Sequence, residues 1–151
     1  MKIHFIRSNQ KRKIISQLNE QFGITKVPHL LIESGKEKIR GYSGSLSKEE
    51  IQELNNILHI ESLGLYLMSA RDADLRLSIE GSHFFQDQIT KNTVKINPSE
   101  LDKWLHGQDL NIKVPTATVI IKNQDDLIGS GKSNGEKIFN YIPKDRRLKN
   151  S

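Results

Sequence analysis

The chain has 151 residues, a net charge of +5 and no cysteine, which excludes disulfides, thiolate metal sites and a cysteine nucleophile. Its length allows one or two small domains with a core that needs no staples. No apolar run approaches the roughly 18 residues of a membrane helix, and the opening segment is too short and polar for a signal peptide, so a soluble cytoplasmic protein that contacts no membrane is expected.

In chain order, Lys2 to Ile6 alternates as a strand, with Ile3 and Phe5 on one face. Ser8 or Asn9 is placed to cap a helix whose apolar face is Ile14, Ile15, Leu18 and Phe22, and Gly23 is its natural stop. Pro28 to Glu33 reads as a strand, turned by Ser34-Gly35-Lys36 into a second strand over Glu37 to Tyr42. Ser47 and Glu50 form a capping box for a helix with Ile51, Leu54, Ile57 and Leu58 on its apolar face. Ser62 to Ser69 and Leu75 to Ile79 read as two further strands across the charged turn Arg71 to Asp74, before a helical turn near Ser82 to Phe85.

The second half changes character. Asn92 to Ile96 is a short strand. Asn97 fits an N-cap and Pro98 the first helical position of a helix ending at Trp104-Leu105-His106 before Gly107. Thr116 to Lys122 is a β-branched strand. Leu127 to Gly131 and Lys137 to Ile142 follow, the last two joined by the hairpin signal Asn134-Gly135. Short strands, one helix and closely spaced turns describe a small barrel. The expected organisation is therefore α+β, with an α/β unit over residues 1–87 and a barrel over residues 88–151.

Charge follows the same division. Residues 1–87 hold 12 Lys/Arg against 11 Asp/Glu, and residues 88–151 hold 11 against 7, so the basic excess sits in the shorter part. It is densest in the tail Asn140 to Lys149, where Lys144, Arg146, Arg147 and Lys149 accompany Tyr141. Cations that neutralise phosphates beside a ring that stacks on a base suit a nucleic-acid strand, whereas a solvated basic tail is the bland alternative.

The runs Gly64-Leu65-Tyr66, Leu75 to Ser78, Gln88 to Asn92 and Leu105-His106-Gly107-Gln108-Asp109-Leu110 resemble the PUA-containing proteins of archaea. Ile128 to Lys132 and Asn140 to Arg147 are similar to the PUA-like C-terminus of the Sun/Fmu RNA cytosine-5 methyltransferases. The two-part order resembles ribosome-biogenesis proteins that place a pre-PUA domain before the PUA domain. The resemblance implies a C-terminal PUA pseudo-barrel that binds RNA in a cleft beside the first helix and its glycine loop, against the late strands. Carried over by position, it points to Lys103, His106, Gly107, Lys132, Tyr141, Lys144, Arg146 and Arg147. The methyltransferase core and its cysteines are missing, so methyl transfer is not carried over.

Other motifs resolve into plainer readings. Gly129-Ser130-Gly131-Lys132 lacks the first glycine of a Walker loop, since Asp126 stands there, and no helix follows. Its glycines are expected to bend a strand and leave Lys132 on the cleft rim. No histidine pair has chelating spacing among His4, His29, His59, His83 and His106. The carboxylate pairs Asp72/Asp74 and Asp125/Asp126 read as solvated turns, and Trp104 as core. Lys38, Arg40 and Tyr42 alternate along one strand face and form a second candidate for RNA contact. Lys11-Arg12-Lys13 opposes the dipole of the first helix and either awaits an anion or is solvated. Altogether a non-catalytic protein without cofactor or metal is expected. Its partner is rRNA or tRNA during maturation, modification or ribosome assembly, alongside a separate modifying enzyme or an assembly factor. The alternative is a protein-interaction module of an RNA-processing complex.

Overall fold

Two separate sheets pack together, and the second sends Ile120 and Leu127 into the core under the first. The computed structural model describes residues 3–35, 37–57, 63–70 and 73–149. Expectations that touch Lys2, Lys36, Leu58, His59, Ser62, Arg71 or Asp72 lie outside the described residues.

The first sheet is antiparallel in the order β1 (Ile3–Phe5), β2 (Leu30–Ser34), β3 (Lys38–Tyr42), β4 (Leu65–Ser69) and β5 (Arg76–Leu77). Helix α1 (Ser8–Phe22) buries Leu18 and Phe22 against it, and ends where Gly23 turns left-handed at φ 85°. The helix begins one residue earlier than a Ser8 cap would set it and two earlier than an Asn9 cap would. Arg7 is the N-cap, and its N–H donates to Gln10 Oε1 at 3.3 Å. Helix α2 (Lys48–Ile57) carries the capping box, with Ser47 N–H donating to Glu50 Oε1 and Glu50 N–H to Ser47 Oγ, both at 3.1 Å. Among the described residues of its apolar face, Ile51 is buried, whereas Leu54 and Ile57 are 39% and 78% exposed.

The strand expected over Leu75 to Ile79 is cut to Arg76–Leu77. Ser78 Oγ accepts from Gly81 N–H at 2.8 Å and so caps a helix, α3 (Ile79–Phe84), that starts three residues before the helical turn read from the sequence. A serine with a donor three residues on competes with extended backbone and wins here.

The second sheet has the order β6 (Thr93–Lys95), β7 (Ala117–Asn123), β8 (Asp126–Ser133), β9 (Ile138–Asn140), with β6 parallel to β7 and the rest antiparallel. Helix α4 (Pro98–Leu105) is capped by Asn97, whose Oδ1 accepts from Glu100 N–H at 2.8 Å while Glu100 Oε1 accepts from Asn97 N–H at 2.9 Å. It delivers Trp104, fully buried, into a cluster with Leu110, Val119, Ile121, Ile138 and Ile142. The indole Nε1–H donates to Ile128 O at 2.8 Å. Gly131 serves this ring. A Cβ there would stand 2.9 Å from the indole and 2.6 Å from Phe139 O, so close approach requires the glycine.

Strand β7 explains its own β-branched run. Val119 and Ile121 face the Trp104 cluster, while Ile120 and Leu127 join the cluster of Leu18, Phe22, Leu67 and Phe85 under the first sheet. A strand buried on both faces needs apolar residues at successive positions. Polar ties reinforce the junction. Ser130 Oγ–H donates to Leu77 O at 2.7 Å, and Asn92 Nδ2 donates to Gln21 O at 2.6 Å. Asp74 Oδ2 accepts from both Lys132 Nζ (2.7 Å) and Thr118 Oγ1 (2.9 Å).

Candidate functional site

A cleft of about 580 Å³ opens where the two sheets meet. The first half contributes Lys38 and Glu37 at the start of β3, Tyr66 and Ser69 of β4, Arg76 of β5 and the first residues of α3, including Glu80. The second half contributes Gly129 and Ser130 of β8, the segment Tyr141-Ile142-Pro143 that leaves β9, and Arg146 of the 3₁₀ turn Lys144–Arg146.

Two aromatic rings in this cleft carry cations. The Arg76 guanidinium lies 3.9 Å from the centre of the Tyr141 ring, and Tyr66 has Lys38 Nζ at 5.3 Å and the Arg40 guanidinium at 5.8 Å. These are cation–π distances. Burial pushes the Tyr66 phenol above its ordinary value, against a hydrogen bond with Ser69 and the charges of Arg76 and Arg40. An ion pair bridges the two halves across the cleft: Arg146 Nη1 donates to Glu80 Oε1 at 2.6 Å. That hydrogen bond holds the Glu80 carboxyl below its ordinary value and raises Arg146.

The residues read from the sequence fall into separate groups. Tyr141 and Arg146 line the cleft, and Lys38 joins them from the other half. Lys103, His106, Gly107 and Arg147 gather at the end of α4. Lys103 is exposed, and His106 Nδ1–H donates to the Asp102 carbonyl at 2.7 Å. Gly107 has φ 86°, and Arg147 lies directly over it, its Nε donating to Ile142 O at 2.9 Å. Leu148 N–H donates to Leu105 O at 2.8 Å, so the tail itself packs beside the glycine loop. Lys144 is exposed on the 3₁₀ turn.

Four expectations are corrected. Lys132 does not stand on the cleft rim; it is half-buried and tied to Asp74 at the junction. That same tie removes Asp74 from the class of solvated turn residues, and holds its carboxyl below the ordinary value. Tyr42 shares its strand face with Arg40, but its ring packs on the cluster of Ile3, Ile32 and Ile51 and its hydroxyl accepts from Leu46 N–H at 3.1 Å. The ring beside Lys38 and Arg40 is instead Tyr66. Lys11, read as a cation awaiting an anion or left to solvent, donates from Nζ to His29 O at 2.7 Å.

Tyr66 and Arg76 fall in runs that carry the family resemblance, but neither they nor Glu80 are among the site residues it points to. The alternation Leu75-Arg76-Leu77 does set Arg76 opposite two buried leucines, and that was its signal. Among the described residues, no cluster of three or more His, Asp or Glu side chains has the arrangement of a metal site, and no helix is long and apolar enough to cross a membrane.

Residues 91–148 match the family model described as the methyltransferase RsmF PUA domain. No curated protein matches the chain. Among solved structures, a conserved PUA-domain protein from Thermoplasma acidophilum superposes with a TM-score of 0.58 at 16% identity, over 92% of this chain and 93% of that one. The fold is thus α+β and PUA-like.

Proposed function

From a chain that is a PUA-domain protein related to the C-terminal region of the Sun/Fmu methyltransferases, we infer a non-catalytic RNA-binding protein of rRNA or tRNA maturation. In this reading residues 88–151 are the PUA-like RNA-binding domain and residues 1–87 a pre-PUA-like partner domain. RNA is presented to a separate modifying enzyme. The observation that carries the reading is the cleft against the matched region, where Lys38, Arg76 and Arg146 stand with Tyr66 and Tyr141. Cations neutralise phosphates and flat groups stack on unpaired bases, which is how single-stranded RNA is held. Lys103, His106, Lys144 and Arg147 extend the basic surface toward the end of α4, with the Gly107 loop beneath.

The test is a filter-binding titration of the full chain with single-stranded RNA across a salt series. Binding with a steep salt slope is expected. Replacing Lys144, Arg146 and Arg147 with alanine should lower that log–log slope by up to about 2, at roughly 0.7 per lost phosphate contact. An unchanged slope in the folded variant removes the tail from the interface.

A second reading, a protein-interaction module, is favoured by the exposure of Leu54 and Ile57 on α2. Capture of an RNA-processing partner that survives nuclease and is lost in Ile57→Ser would support it over the first.

A further inference from the structure

We propose that the junction cleft is a pocket for a single nucleotide extruded from an RNA strand, and that the Glu80–Arg146 ion pair latches it in the RNA-free protein. The proposal rests on the RNA reading above and deepens it, by naming the surface that takes a base and the contact that opens.

The size fits. A cleft of about 580 Å³ lies within the roughly 300–1,000 Å³ range of pockets that hold small ligands. The chemistry fits as well. Arg76 stacked at 3.9 Å on Tyr141 presents a planar, cationic platform, and guanidinium planes and aromatic rings are the surfaces on which splayed bases stack. Ser69 and Ser130 line the same space with small polar side chains, and Lys38 and Arg146 offer ammonium and guanidinium donors to a phosphate.

The latch follows from charge. Lys38, Arg76 and Arg146 face Glu37 and Glu80, leaving an excess of one positive charge among the charged lining residues. Arg146 is spent on Glu80, at 2.6 Å across the seam between α3 and the C-terminal 3₁₀ turn. Their side chains are 46% and 37% exposed, so exchanging the carboxylate for a phosphate requires no burial of a bare charge. An arriving phosphate competes with Glu80 for Arg146 and is repelled by the carboxylate it displaces. The pair therefore lowers affinity, and makes occupancy conditional on a ligand that carries both base and phosphate. Both halves of the chain build the walls, so neither completes the pocket alone.

The experiment is calorimetric titration of the full chain with each of the common 5′-mononucleotides, and with ribose 5-phosphate as the base-free probe. At least one mononucleotide should bind about tenfold or more tighter than ribose 5-phosphate, the scale of one base stack. Arg76→Met and Tyr141→Leu should each weaken that binding by about tenfold. Glu80→Gln should strengthen it, and by more than Glu37→Gln, which removes the same charge without freeing Arg146. Ribose 5-phosphate binding as tightly as every mononucleotide overturns the pocket, and needs no variant that might misfold. Equal gains from Glu80→Gln and Glu37→Gln overturn the latch. Filter binding of single-stranded RNA runs in parallel. RNA affinity without mononucleotide preference sinks this inference and leaves the RNA reading standing, whereas a chain that binds neither sinks both.

Discussion

Gly107 shows how one position can serve helix, tail and surface together. Its φ of 86° ends α4, and Arg147 rests on it so closely that a Cβ would come within 2.5 Å of the guanidinium Nε. A side chain there meets two penalties, left-handed backbone and collision. Gly107→Val should cost about 1–2 kcal/mol from the backbone alone, with more from displacing Arg147. Gly107→Ala should be milder. Thermal melts of each variant alone and combined with Arg147→Ala separate the terms. If the collision matters, the double variant loses less than the sum of the single ones, because the two sites are in contact. Trp104 belongs to the same scale. Its indole is fully buried and its N–H satisfied by Ile128 O, in keeping with its reading as core.

At the level of elements, caps decide where helices begin. The Ser47–Glu50 box forms as its spacing predicts, and Asn97, read as an N-cap, also closes a box with Glu100, because each side chain needs only its own first turn to reach its partner. Asn97→Ala and Ser47→Ala should each cost about 1 kcal/mol, measured by urea denaturation. A loss of equal size at both sites is expected from local capping. A much larger loss at Asn97 would mean that the cap also sets how α4 seats Trp104. Ser78 is the instructive case, since its cap on Gly81 ended β5 where alternation alone would have continued it through Ile79. Helix α2 shows the reverse limit. Its periodicity is correct, but of the described residues on that face Ile51 alone is buried, and periodicity carries no information on how much of a face will be covered.

For the molecule as a whole, the junction is where stability and site coincide. Ile120 and Leu127 lie in the core of the other half, so a chain of residues 88–151 alone would expose both. Each such side chain is worth about 1.5–3 kcal/mol when buried. That fragment should melt without a cooperative transition or well below the full chain by circular dichroism; an unchanged melting temperature would show that the shared core contributes nothing. The Asp74 bond to Lys132 gives a pH signature. A carboxyl held below its ordinary value in the folded state contributes stability that is present above the unfolded pKa, about 3.9, and is lost as pH falls through the folded value. Asp74→Asn should therefore lower the Tm near neutrality and approach the parent in strong acid. A gap between the two that stays constant from neutral to acid pH would count against the ionic tie.

Read alone, the sequence determined what neighbours within four residues decide: the Ser47–Glu50 capping box, the N-cap at Asn97, the glycine stops at Gly23 and Gly107, the Asn134-Gly135 hairpin, and the order β-α-β-β-α-β-β of the first half. These are short-range contacts, and their partners are named by spacing. Only the tertiary structure decided the cleft. Glu80 and Arg146 are 66 positions apart, and Asp74 and Lys132 are 58 apart, and no local pattern couples such pairs. The same distance hid the choice between Tyr42 and Tyr66. Strand alternation assigns a face, but whether that face meets a helix, a neighbouring cation or solvent depends on which elements the chain folds against it.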